Sequence, residues 1–278
     1  MAAQKRIAIC ADDFGVDPAV NDAIVELAGQ ARLTATSVLV DARITAASVR
    51  SLQMLDLDIG LHLNFTEVLG DLGASDVMPL GQLIGFAHLR RLPGDWLLRN
   101  IERQLHRFED LFGRAPDYVD GHLHIHQLPQ VREVLVQQLA ARELPAGFWL
   151  RDTRAGALRG APWSERFKAT IIGHLGMGGL ARLAQHQDWS LNRGFFGVYD
   201  FTQPHRPFER MLSQWLGAAK TGALIMAHPS NQAIPGDPIG TAREAERLVL
   251  GSPAFGDTLQ AHHVSLARLT RIDASPPA

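Results

Sequence analysis

A single cysteine, Cys10, is all the thiol this 278-residue chain carries. An intrachain disulfide framework is therefore excluded, and a reducing compartment suits the composition. Cys10 lies inside the apolar run RIAICA, where it reads as a small core residue and not as a nucleophile. Long apolar runs are missing as well. None approaches the roughly eighteen residues of a membrane helix, so no membrane span is expected. The opening MAAQKRIAIC has too short an apolar stretch for a secretion signal, and the expected location is the cytoplasm. There is no Lys/Arg tract, and a formal net charge of −2 predicts no general attraction to nucleic acid. Neither G-x-G-x-x-G nor G-x-x-x-x-G-K-[ST] follows the first strand-like segment, which argues against a dinucleotide or NTP site. What remains is an ordinary globular composition, 46% hydrophobic and 20% charged, with one oddity: twelve histidines.

Strand-like and helix-like segments alternate along the chain. RIAICA (6–11), ATSVLV (35–40), LDIGLHLNF (57–65), DYVDGHLHI (117–125), GFWLR (147–151), GVYDF (197–201) and ALIMAHP (223–229) read as strands. Helices are predicted over 18–31, 44–55, 94–113, 129–143, 207–220 and 241–250, before a final helix–strand pair. In 94–113, Leu97, Leu98, Ile101, Leu105, Phe108 and Leu111 recur at the spacing of one buried face, and Gly113 stops the helix. The Gly-rich stretch 155–195 reads as helix and loop. With no internal repeat and no linker, a single domain over 1–278 is expected, with 272–278 a frayed tail. The alternation indicates an α/β fold whose parallel sheet is covered by helices. Its seven or eight units suit a closed or nearly closed, TIM-barrel-like (β/α) barrel, a doubly wound open sheet being the alternative.

The polar residues gather at one end of these strands. CADDFG ends the first strand on two adjacent acids, Asp12 and Asp13, which repel each other and suit no core. Capping of the following helix, by Asp12 or Asp17, is the plain alternative to function. The third strand ends at His62 and Asn64; DYVDGHLHI carries Asp120, His122 and His124, with His126 just beyond. GFWLR ends in Arg151 and ALIMAHP in His228. Parallel barrels build active sites at that face from several strands. Parity places His62 with Asp58, Gly60 and Asn64, opposite Leu57, Ile59, Leu61 and Leu63, so the ring points inward, as a core histidine or as a ligand. If the strand persists, His122, His124 and His126 share a face, and a divalent metal would use their lone pairs. His126 could instead cap the next helix. Trp149, two before Arg151, is a candidate sugar-facing ring.

Taken jointly, ADDFG, GLHLN with a following Thr, DGHLHIHQLP and the late AHP resemble the YdjC-like carbohydrate deacetylases. That family includes chitooligosaccharide deacetylases and a branch linked to hopanoid biosynthesis. The resemblance runs from Ala11 to about Arg268 and implies an irregular (β/α) barrel of about seven parallel strands. It implies one divalent cation, Mg or Zn first and Mn, Co or Ni as alternatives, held by Asp13, His62 and His122. It also implies Asp12 as general base and His228 as general acid. His124, His126, Asp120 and Asn64 would then line or support the site, and Arg151 would bind substrate or orient Asp12. The chain departs from the pattern at Gly121, where the family usually has Ser, and at Ser230, often Gly or Ala. The implied reaction is metal-dependent removal of N-acetyl groups from a small carbohydrate, releasing acetate and an amine; a homodimer is compatible with it. A barrel amidohydrolase acting on another amide or ester, and a non-catalytic sugar-binding relative, are the alternatives. The first usually begins with an HxH pair, not Asp-Asp, and the second needs neither Asp12 nor His228.

Overall fold

A computed structural model describes residues 4–156, 176–201 and 207–272. Within these residues the chain forms a parallel sheet of nine strands: β1 (Lys5–Phe14), β2 (Ala35–Val38), β3 (Asp58–Leu63), β4 (Tyr118–Gly121), β5 (Trp149–Leu150), β6 (Ser190–Leu191), β7 (Phe195–Phe196), β8 (Leu224–Ala227) and β9 (Val264–Leu266). Their order is β6-β5-β4-β3-β2-β1-β8-β7, and β9 joins the start of β1. The helices are α1 (Pro18–Gly29), α2 (Ala46–Gln53), α3 (Leu80–His88), α4 (Gly94–Phe112), α5 (Val131–Ala140), α6 (Met177–His186), α7 (Phe208–Ala218), α8 (Gly240–Leu250) and α9 (Pro253–Ala261).

Side-chain parity shows that the sheet is curled and not open. On β1, Ile7, Ile9 and Ala11 join the large core shared with the helices, whereas Ala8 and Cys10 join a second cluster with Ala35, Tyr118, Trp149, Phe195, Leu224 and Met226. Strands β1 and β4 are not neighbours in the sheet, yet Cys10 Sγ lies 3.0 Å from the Tyr118 hydroxyl. Such a contact needs a concave face, so the second cluster fills the inside of a distorted, partly open barrel. Small residues make room for it. A Cβ at Gly60 would lie 2.4 Å from the Tyr118 ring, which is itself stacked on Trp149 at 3.9 Å. The curl is completed by one isolated parallel bridge, Ala155 to Phe195, where a regular barrel would have a ladder.

Several elements differ from the sequence reading. The sheet has nine strands, two of them with two residues near 190–196; the strand predicted over 197–201 is instead Phe195–Phe196. Helix α3 was not predicted, since Gly81 and Gly85 lower its propensity; burial of Leu83 and Ala87 holds it in place. On α4 the buried face includes Asn100 and Gln104 in addition to Leu97, Ile101, Leu105 and Phe108, while Leu98 and Leu111 are only half-buried. Part of the stretch 155–195 and all of the predicted tail beyond Ile272 lie outside the described residues. No helix among the described residues is long and apolar enough to cross a membrane.

Candidate active site

Adjacent residues on a regular strand point to opposite faces, so Asp12 and Asp13 should be separated by the sheet. They are not, because the register of β1 with β2 shifts between Ala11 and Phe14, and Asp13 adopts φ 69°. A non-glycine residue in the left-handed region costs on the order of 1–3 kcal/mol, a strain that collects at functional sites. The local bulge turns both acids toward the same cavity, and each is only 2% exposed. Neither caps α1: that role belongs to Asp17, whose side chain accepts from Ala19 N at 2.8 Å.

Each acid has its own buried arginine. Arg151 Nη1 donates to Asp12 Oδ2 and Nη2 to Asp12 Oδ1, both at 2.6 Å. Nη2 also lies 2.5 Å from Asp120 Oδ2, which Ser37 Oγ contacts at 2.6 Å. On the other side, Arg243 Nη2 donates to Asp13 Oδ2 at 2.7 Å. Burial favours protonated acids, yet Arg151 holds the Asp12 carboxyl far below the usual carboxylate range. Against burial, Asp13 is likewise held ionised by hydrogen bonds from His122 and His62 and by the Arg243 charge. Arg151 itself is fully buried and does not line the cavity, so of its two expected roles the geometry favours orienting Asp12.

Opposite Asp13 stand two imidazoles. His62 Nδ1 donates to Asp120 Oδ1 at 2.6 Å, across the register pair of β3 and β4. That leaves Nε2 facing Asp13 Oδ1 at 3.5 Å. His122 Nδ1 lies 3.2 Å from the same oxygen. One donor atom from each of Asp13, His62 and His122 lies within 4.8 Å of the others, a spacing that fits a single cation. A carboxylate behind the ligating imidazole is the usual support for such a site. Charge points the same way: among the described residues, Asp12, Asp13 and Asp120 are buried against two guanidiniums, Arg151 and Arg243, leaving room for one more positive group. Burial alone would discharge His62, but Asp120, Asp13 and Asp12 push it up to about 10, so a proton stands where a cation would otherwise balance the acids. Cys10, Asp12 and Asp120 are also close enough to be ligands. Arg151 Nη2 already lies within 3.1 Å of an atom of each of them, which excludes a cation there.

The remaining histidines do not share a face. Strand β4 stops at Gly121, and His122–Gln127 form a 3-10 turn with Leu123 and His124 at φ 53° and 61°. A Cβ at Gly121 would lie 2.9 Å from His126 N, so the turn in this chain favours glycine there. His122 therefore faces the cavity, while His126 is fully buried and donates through Nε2 to the Arg151 carbonyl at 3.0 Å, capping no helix. Burial pushes His126 down to about 4, so it is neutral. His124 reaches the cavity wall and packs edge-on against Phe195; burial, then Arg151, holds it well below the normal histidine value. Asn64 touches no part of the cavity. It accepts from Thr66 N and Glu67 N and donates to the Glu67 carbonyl, while Gln104 of α4 clamps its backbone at 2.8 and 2.7 Å. Trp149 is 1% exposed on the barrel interior and faces no sugar.

His228, at the end of β8, completes the cavity rim. Burial pushes it down to about 4, opposed by Asp13 and Asp12, so the resting ring is neutral. Its backbone N–H donates to Glu246, which also accepts from the Tyr199 hydroxyl at 2.6 Å. Sequence reading missed Glu246, Arg243 and Ser37, because none ends a strand of the sheet beside a motif. It also missed Glu67, whose carboxylate is 3.9 Å from His122 Nε2 at the mouth. The cavity measures about 600 Å³, and away from the acids and imidazoles its wall is aliphatic: Val16, Leu39, Leu69, Leu80, Ile84, Ile234 and Ile239, with Phe201 the one aromatic ring apart from histidine among the described residues.

Known proteins share both sequence and fold with this chain. A sequence model described as YdjC-like protein matches residues 6–261. A Homo sapiens carbohydrate deacetylase is 29% identical over 99% of this chain and 93% of its own length. A chitooligosaccharide deacetylase of Enterobacter sp. (strain 638) is 32% identical over 61% of this chain and 70% of its own. Among solved structures, a putative cellobiose-phosphate cleavage protein from Enterococcus faecalis V583 superposes with a TM-score of 0.65 at 19% identity, covering 96% of this chain and 98% of that one. At that identity the likeness shows the fold, a distorted barrel.

Proposed function

The chain belongs to the YdjC-like family, and from that premise we propose that it removes acetyl groups from an N-acetylated amino sugar or oligosaccharide, releasing acetate and a free amine. One divalent cation, Mg or Zn before Mn, Co or Ni, would be held by Asp13, His62 and His122. When bound, it supplies Lewis-acid polarisation of the amide carbonyl and lowers the pKa of a water. The observation that carries the reading is the division of the acid doublet. Asp13 faces two imidazoles, whereas Asp12 is ionised, bound by Arg151 and turned to the same cavity.

Asp12 is the proton acceptor for the attacking water. His228, neutral at rest, stores no proton for the leaving nitrogen. The proton that converts the nitrogen to an amine is therefore the one Asp12 takes from that water, handed on from Asp12 with His228 as the proposed relay to the nitrogen. General acid–base steps of this kind contribute about 10²–10⁴-fold each. The cytoplasm is the proposed site of action, consistent with the single buried thiol.

Acetate release from N-acetylated chitooligosaccharides, measured with and without a chelator, tests the reaction. Asp12→Asn is expected to abolish turnover and keep the cation, and His62→Ala to lose both; an active Asp12→Asn enzyme would sink the assignment. Chelator-insensitive sugar binding without acetate would favour a binding protein, and turnover of simple amides or esters but no sugar would favour another amidohydrolase. The aliphatic cavity wall favours a second version of the substrate, an acetylated sugar carrying an aliphatic aglycone, as in the hopanoid-linked branch that the sequence resembles. Octyl N-acetylglucosaminide turned over with a lower KM than the free oligosaccharide would support that version.

A further inference from the structure

Arg243 is contributed by α8, far from every sequence motif of the site, and is 4% exposed. Its guanidinium spans two carboxylates: Nη2 donates to Asp13 Oδ2 at 2.7 Å and Nε to Asp237 Oδ2 at 2.6 Å. Asp237 is itself fixed, since its other oxygen accepts from Ile239 N at 2.9 Å. The helix is tied back to the strand end that bears His228, because Ser230 N donates to the Arg243 carbonyl at 3.2 Å. Asp13 therefore has one oxygen committed to Arg243, and only Oδ1 faces His62 and His122. Free to rotate, this carboxylate could present either oxygen or both, and its neighbour Asp12 would push it away from the site.

We propose that Arg243, anchored by Asp237, is a positioning residue that fixes which oxygen of Asp13 is offered to the cation and so sets how tightly the site holds one. The inference rests on the metal reading above and adds a residue to it. Charge and orientation make opposite predictions. Removing a guanidinium charge would by itself strengthen the hold on a cation, whereas losing the clamp weakens it. A loss of affinity is therefore a signature of positioning.

The test is a calorimetric titration of metal-stripped full-length protein with CoCl₂, together with the visible spectrum of the Co²⁺ form, which responds to ligand geometry. Arg243→Met is expected to weaken Co²⁺ binding about 10–100-fold, as loss of outer-shell partners does, and to change the spectrum. Arg243→Lys should recover part of the affinity. Asp237→Asn removes a negative charge and so weakens binding on either account, whereas Arg243→Lys keeps the charge and, binding Co²⁺ more weakly than wild type, keeps the idea testable if the methionine variant fails to fold. Arg243→Met or Arg243→Lys protein that melts like wild type when stripped yet binds Co²⁺ as tightly, with an unchanged spectrum, overturns the clamp alone. Wild-type protein that takes up no Co²⁺ overturns the metal reading itself, and the clamp with it.

Discussion

Two covalently adjacent carboxylates are tolerated in this interior because each is bound by a different buried guanidinium. Arg151 is shared between Asp12 and Asp120, and Arg243 between Asp13 and Asp237. The same electrostatics bear on His228. Its depressed value, about 4, means that it is neutral across the neutral range, and a nearby cation would lower it further. Were a stored imidazolium the required donor, the rate would fall about tenfold per pH unit above that value. We expect no such decline in kcat between pH 5 and 7, and a tenfold-per-unit fall there would show that the resting enzyme needs a charged His228. The residue types of the site were legible in the sequence because ADDFG, GLHLN, DGHLHIH and AHP sit at strand ends. Arg243 and Glu246 were not, because a helix residue contacting a strand end leaves no local pattern.

Parity explains why some elements were read well and others were not. On β3 the alternation holds: Ile59, Leu61 and Leu63 face the helices and His62 the interior, as the sequence predicts. On β4 it breaks after Gly121, because Leu123 and His124 take left-handed backbone angles that no glycine or asparagine announces. On β1 it breaks at the bulge, which brings Asp12 and Asp13 to one side. Packing between β3 and β4 also leaves little slack, since a Cβ at Gly60 would clash at 2.4 Å with the Tyr118 ring, itself stacked on Trp149. Gly60→Ala is expected to lower stability by about 1–3 kcal/mol, the usual cost of overpacking. An unchanged urea midpoint would show that the aromatic stack moves freely.

At the scale of the whole molecule, the barrel is closed at its floor by an acid that sequence reading left without a role. Asp58 is fully buried and accepts from Trp149 Nε1, Arg268 Nε, Thr270 N and Thr270 Oγ1. It thereby joins β3 and β5 to the C-terminal segment. Asp58→Ala would leave Trp149 Nε1 and the Thr270 donors without their acceptor, while half-buried Arg268 keeps Asp56, and a loss of about 1–3 kcal/mol is expected from urea unfolding. A variant as stable as wild type would mean that water fills the gap without cost. The barrel itself was legible from the count of alternating segments, but its irregularity was not: two-residue strands and a one-bridge closure arise from tertiary packing and leave no periodic trace. Were the sheet to flex at that seam, distances between groups on different strands would change with it. Asp12 and Asp13 are exempt. Because one peptide unit joins them, their Cα atoms stay about 3.8 Å apart, and what can vary is the direction of each carboxylate, which Arg151 and Arg243 hold. Their adjacency works as a covalent ruler for the backbone, with the two guanidiniums setting where each carboxylate points.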